Sequence, residues 1–298
     1  MQDKEKNLYI KSGKILGSAL KFAQKQVKVG GSLLECAESI EDFIIKEGGK
    51  PAFPVNVSIG NIAAHYSPSS ASKEVFTKKD VAKIDVGVHI DGYITDSAVT
   101  IDLSGEFGKM VEASQKALDA ALSVVKPNGS ISKVGEVVEK EIKKAGFKPI
   151  SNLSGHRIEQ WIAHASPSVP NISTREDKKF EVGKVYALEP FATNGAGFVH
   201  EGVQAEIFGF DENKPTRSMG ARKILSFVEE EYNALPFAER WIEKKLKLAE
   251  FERKVAFREM LSKNLIHSYP VLKEAEGKTV TQAETTVLIG ENDIIKLV

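Results

Sequence analysis

The chain has 298 residues, 41 basic and 41 acidic, for a formal net charge of zero. With 42% hydrophobic and 28% charged residues it has the composition of a soluble globular protein, which excludes dominant disorder and a nucleic-acid grip by bulk charge. One cysteine, Cys36, excludes an intramolecular disulfide and a cysteine-rich zinc site.

No apolar run reaches the ~18 residues of a membrane span, and no apolar stretch follows the charged N-terminus, so no transmembrane helix or secretory signal is expected. A reducing, cytoplasmic setting is the expectation. Residues 6–48 read as helices. Ile15, Leu16, Leu20, Phe22 and Ala23 carry a rough 3.6 period, and Ser32 opens a second helix after Gly30-Gly31. Residues 50–70, rich in Pro, Ser and Asn, read as loop and short strand. The clearest β pattern covers 80–103. Residues 109–146 read as helical with a break at Pro127-Asn128-Gly129, and 180–210 return to strand and turn. The hairpin-then-helix order at 80–146 is loosely echoed at 180–290, without residues that align. Residues 221–263 are helical and charged, and β patterns resume at 266. A helical block at 212–266 between two β segments reads as an insertion, its charged face, with Lys244, Lys245 and Lys247, solvated.

The sharpest chemical signal lies at 83–100. Asp91-Gly92 between two β-rich runs is the preferred centre of a two-residue type I′ hairpin. That turn sets Ile90 opposite Tyr93, Val88 opposite Thr95 and Gly87 opposite Asp96. Asp85 and Asp96 then share one face as diagonal neighbours, about 7–8 Å apart between the two backbones, with Gly87 leaving room between them. Strands disfavour aspartate, so two on one face call for compensation, and inward-leaning carboxylates across such a gap suit metal ions ~3.5–4 Å apart. Asp91 serves the turn. His89 shares the face but reads as structural. Other donors stand in β or loop context: His65, His156, His164, Glu189 just before Pro190, and Glu284 at a strand start. Two Asp, two Glu and one His make a hard-oxygen set with one nitrogen, suited to Mn, Co, Fe or Zn.

The motifs Phe53-Pro54-Val55-Asn56 with Ala63-Ala64-His65-Tyr66, Asp85-Val86-Gly87 with Gly92 to Asp96, Leu153-Ser154-Gly155-His156, Ala187-Leu188-Glu189-Pro190-Phe191 and Gln282-Ala283-Glu284-Thr285 resemble those of methionine aminopeptidases of the second type, in their short archaeal-like form. The resemblance covers 5–298. It implies an α+β pita-bread fold, with 1–298 as one metallopeptidase catalytic domain and 212–266 as a helical insertion subdomain. It also implies five metal ligands, Asp85, Asp96, His156, Glu189 and Glu284, holding two divalent ions (Co, Mn, Fe or Zn), with Asp96 and Glu284 bridging. His65 and His164 would contact the substrate, and Phe53 would line the methionine pocket. Departures at Gly60-Asn61, Trp161, Ala163 and Ser166-Pro167 touch no ligand.

The implied activity is removal of the initiator methionine from nascent proteins and peptides with a small second residue. Glu189 would accept a proton from the attacking water, His164 would donate to the oxyanion, and His65 would bond the substrate amide. A cytoplasmic monomer with a transient ribosome contact, no membrane and no specific nucleic-acid motif completes the expectation. Two rivals are a prolidase-like peptidase on the same fold, which would need more chain ahead of Asp85, and a non-enzymatic binding protein, which would have lost a ligand.

Overall fold

The structure is a computed structural model, and it describes residues 1–175 and 178–298. The N-terminal helix α1, Asp3–Gln26, starts in a capping box between Gln2 and Glu5 and buries Ile15, Leu16, Ala19 and Ala23 along one side. Helix α2, Leu33–Lys46, is capped by Ser32, whose hydroxyl accepts from the Glu35 amide. α1 packs on the hairpin formed by Val81–Ile90 and Tyr93–Asp102, and α2 on α1 and on the strand Asn56–Ile59 that pairs with Val81–Ile90. Asp91 (φ 51°) and Gly92 (φ 80°) make the turn, and the strands pair in the register expected from it.

The chain then repeats this order. Helices α3, Gly108–Val124, and α4, Ser132–Lys144, precede a second hairpin, Ser154–Glu159 with Ile162–Pro170. The repeat of elements therefore pairs 3–102 with 108–170, rather than 80–146 with 180–290. The second hairpin belongs to a five-stranded sheet completed by Val185–Leu188, Thr285–Ile289 and Ile294–Lys296. The tips of the two hairpins meet: the Trp161 amide donates to Gly92 O at 2.9 Å and the Gln160 side-chain amide to Asp91 O at 2.9 Å. The Trp161 ring covers Gly92, where a Cβ would stand 2.4 Å from it.

Strands Ile207–Phe210 and Ile266–Tyr269 pair antiparallel and bracket helices α5, Met219–Glu231, α6, Glu239–Leu246, and α7, Glu250–Ser262. These helices close on a core of their own, with Ile224, Leu225, Val228, Phe237, Phe257 and Met260. The block is joined to the rest by a buried pair: Arg240 donates through both terminal nitrogens to the Glu41 carboxylate, at 2.6 and 2.5 Å. Glu41 also accepts from the Val55 amide and the Trp241 indole, and Arg240 reaches Pro68 O and Ser67. The four-way acceptance satisfies a carboxylate that burial would otherwise penalise.

Candidate functional site

The first hairpin sets the aspartates. Asp85 is opposite Ala98 and Gly87 is opposite Asp96, so Asp85 and Asp96 are diagonal neighbours on one face. On its other side Asp85 faces Asn56, from the strand Asn56–Ile59. The room at Gly87 serves a different purpose from the one expected. The Phe53 ring occupies it, and a Cβ on Gly87 would stand 2.3 Å from Phe53 Cε1. The missing side chain admits an aromatic wall beside the carboxylates.

The other donors arrive from the second sheet. His156 lies in Ser154–Glu159 and His164 in the neighbouring strand, with ring centroids 4.2 Å apart. Glu189 follows Leu188, the last residue of its strand, where Pro190 ends strand pairing. Glu284 falls in the break between Val280–Gln282 and Thr285–Ile289. His156 Nε2 is 3.7 Å from Asp96 Oδ2 and 3.6 Å from Glu189 Oε1. Ligand atoms of Asp96, His156 and Glu284 all lie within 4.8 Å of one another. Asp85 and Glu189 stand outside that trio but face the same space. A cavity of about 350 Å³ is lined by all eight singled-out residues: Phe53, His65, Asp85, Asp96, His156, His164, Glu189 and Glu284. His89 stands apart, as expected of a structural residue. Its Nδ1 accepts from the Gly92 amide at 3.1 Å and its ring meets Trp161 edge-on.

Burial raises the Asp85 carboxyl to about 6. Burial, then repulsion from neighbouring acids, raises Asp96, Glu189 and Glu284 well above the usual range. Burial pulls His156 down to about 4. It lowers His164 well below the usual range, with repulsion from His156 and His65 adding to it, and lowers His65 against the pull of Pro270 O. Four acids beside neutral imidazoles lack a balancing cation among these side chains. Asp85 Oδ1, Asp96 Oδ1 and Gln282 Oε1 are sealed from solvent and make no hydrogen bond within the protein. An oxygen-rich, one-nitrogen donor set with orphaned oxygens fits divalent metal ions.

Sequence reasoning missed several walls of the cavity, among them Ile207, Pro236 and Tyr269. Ile207 and Tyr269 pair with each other at the root of the helical block. The Tyr269 ring meets His65 edge-on at 5.7 Å, and His65 Nδ1 is 3.3 Å from Pro270 O. His65 takes φ 63°, left-handed backbone that is uncommon outside glycine. Nothing in the residues around Tyr269 ties it to the acids. The link is spatial, made by a strand that returns after the block.

Residues 7–222 match the family model described as metallopeptidase family M24. The methionine aminopeptidase of Pyrococcus horikoshii is 42% identical over 286 residues, covering 96% of each chain. Among solved structures, a thermophilic Arx1 superposes with a TM-score of 0.86 at 19% identity, covering all of this chain and 91% of that one. A methionine aminopeptidase from Thermotoga maritima gives 0.70 at 20% identity, covering all of this chain and 97% of that one. The fold is the pita-bread arrangement shared by such structures.

Proposed function

The chain belongs to metallopeptidase family M24, as an aminopeptidase of the archaeal methionine type, and from that membership we propose that it removes initiator methionine from nascent chains with two divalent ions and a preference for a small second residue. The observation that carries this reading is the convergence of Asp85, Asp96, His156, Glu189 and Glu284 on one cavity, with oxygens that have no protein partner.

In this reading those five side chains would hold the ions, with Asp96 and Glu284 shared between them. Bound there, divalent ions of the Co, Mn, Fe or Zn class would supply an activated water at neutral pH and positive charge for the scissile carbonyl. The protein's own groups do the rest. Phe53, with Ile207 and Tyr269, shapes an apolar pocket for a flexible thioether. Glu189, whose Oε1 lies 3.6 Å from His156 Nε2 in the cavity, takes the proton from the attacking water. His164 donates to the developing oxyanion, and His65 bonds the substrate amide.

We read 1–298 as one catalytic domain and 212–266 as a subdomain forming a cavity wall, which Pro236 and the flanking Ile207 and Tyr269 support. We read the protein as a monomer. Among the described residues no helix is long and apolar enough to cross a membrane, and a cytoplasmic setting suits work on nascent chains. A ribosome contact through Lys244, Lys245 and Lys247 would complete that setting. Its measure is co-sedimentation at low salt, which charge reversal at the three lysines should weaken; unchanged co-sedimentation removes it.

The test is substrate choice. A Met-Ala-Ser peptide should be cleaved after its first residue. Its N-acetylated form should be inert, and a bulky second residue should slow it. Cleavage of Xaa-Pro dipeptides with no preference for methionine would replace this reading by a prolidase-like one.

A further inference from the structure

The two segments carrying Asp96 and Glu284 run side by side without a backbone ladder. Asp96 stands beside Thr286, Ala98 beside Glu284, and Thr100 beside Gln282, as in an antiparallel pair. One direct bond crosses, from the Glu284 amide to Ala98 O at 3.3 Å. The other crossings pass through hydroxyls. Thr286 Oγ1 accepts from the Asp96 amide at 2.8 Å and donates to Asp96 O at 2.6 Å. From the opposite side, Thr100 Oγ1 accepts from the Gln282 amide at 2.9 Å and donates to Gln282 O at 2.6 Å. Ser97 Oγ donates to Glu284 O at 2.5 Å. All three hydroxyl residues are buried.

A threonine hydroxyl has one proton to give and lone pairs to accept with. Thr286 and Thr100 each use both functions on the amide and carbonyl of one facing residue. Each thus replaces the facing backbone of a normal strand pair and spaces the two chains by a side chain's length. The residues so gripped are Asp96 itself and Gln282, whose Nε2 lies 3.4 Å from Asp85 Oδ2 and 3.5 Å from Glu284 Oε2, while Glu284 is held at its carbonyl by Ser97 and at its amide by Ala98 O. Hydrophobic packing between the strands would leave their relative slide and tilt free. Paired hydroxyl bonds, which are directional, do not.

We propose that Thr286, Thr100 and Ser97 are positioning residues, which fix Asp96 and Glu284 relative to each other so that both carboxylates reach the same ions. The role rests on the metal reading given above. Thr286→Val keeps the side-chain shape and removes both bonds to Asp96. Thr286→Ser restores them. Thr285→Val is the control: it removes a bond of similar kind on the same strand, from Thr285 Oγ1 to Val298 O at 3.0 Å, which ties the strand to the C-terminus and not to the backbone of Asp96 or Glu284.

The experiment titrates metal-free protein with Co²⁺, following its visible absorption and calorimetric stoichiometry. Loss of a group that orients a ligand costs roughly 10–100-fold in metal affinity, so Thr286→Val should bind Co²⁺ at least about tenfold more weakly, while Thr286→Ser and Thr285→Val stay within about threefold of the natural protein. Ser97→Ala, which removes a single bond, gives the same readout at smaller amplitude should Thr286→Val not fold. Equal Co²⁺ affinity in the natural protein and Thr286→Val, or an equal loss in Thr285→Val, overturns the positioning role alone. Absence of Co²⁺ uptake by the natural protein overturns the metal reading and this role with it.

Discussion

His164 touches His156 ring to ring, yet its own nitrogens lie outside the trio of close ligand atoms. In the proposed reading His164 acts on substrate and does not hold metal. His164→Ala should lower turnover of a Met-Ala-Ser peptide on the order of 10²–10³-fold, the usual cost of losing one donor to an oxyanion, while metal content stays at the natural level. Parallel loss of metal and activity, measured by elemental analysis and peptide assay, would make His164 a ligand instead. At this scale the sequence was legible where a short-range rule counted faces. A two-residue turn at Asp91-Gly92 is enough to put Asp85 and Asp96 on one side. It was not legible where contact depends on irregular pairing. His156 and His164 meet across a hairpin whose register shifts between His156 and Arg157 and again before Glu159, and residue spacing does not encode those shifts.

At the scale of elements, the helical block is held to the cavity's rim by charge as well as by packing. Glu41 on α2 and Arg240 on α6 are both buried, and Glu41 also holds the amide of Val55, two residues from Phe53. Removing one partner of a buried pair leaves an uncompensated charge, at a cost of about 3–5 kcal/mol. Arg240→Met should therefore lower stability by about that amount in denaturant unfolding, and Glu41→Met with Arg240→Met should recover much of it. Equal instability of the single and double variants would show that shape, rather than charge, sets the cost. The block's helices were legible from their 3.6 period. Which flanking residues would line the cavity was not, because Ile207 and Tyr269 become neighbours only when the strands on either side of the block close.

Across the whole molecule, the acids work against the fold until something positive joins them. Asp85 is raised to about 6 by burial, while an unfolded aspartate titrates near 3.9. Between those values the folded chain holds a proton that the unfolded chain has released, so stability falls as pH rises, by up to about 1.4 kcal/mol per unit for one such group. Asp96, Glu189 and Glu284 are shifted in the same direction and extend the window upward. His65, His89, His156 and His164, all lowered by burial, act with the opposite sign up to about pH 6.5, where an unfolded histidine loses its proton, and Lys83, pulled down to about 7 by burial, does so only above that pH. The melting temperature of metal-free protein should therefore fall between about pH 6.5 and 7.5, where the histidines no longer oppose the acids, and added Mn²⁺ or Co²⁺ should raise it most at the upper end of that window. A metal-free melting temperature that rises over this range, or one that metal leaves unmoved, would contradict the electrostatic account.

The claim that these side chains form a metal-dependent aminopeptidase centre is tested most directly by following metal and turnover together. Metal-free protein receives Co²⁺ stepwise, and methionine release from a Met-Ala-Ser peptide is recorded alongside bound metal, for the natural chain and for Asp96→Ala. The account predicts no release without metal, release that rises to its full value by two ions per chain, and loss of both binding and release in Asp96→Ala. Release by the metal-free chain, or natural release by Asp96→Ala, would contradict it.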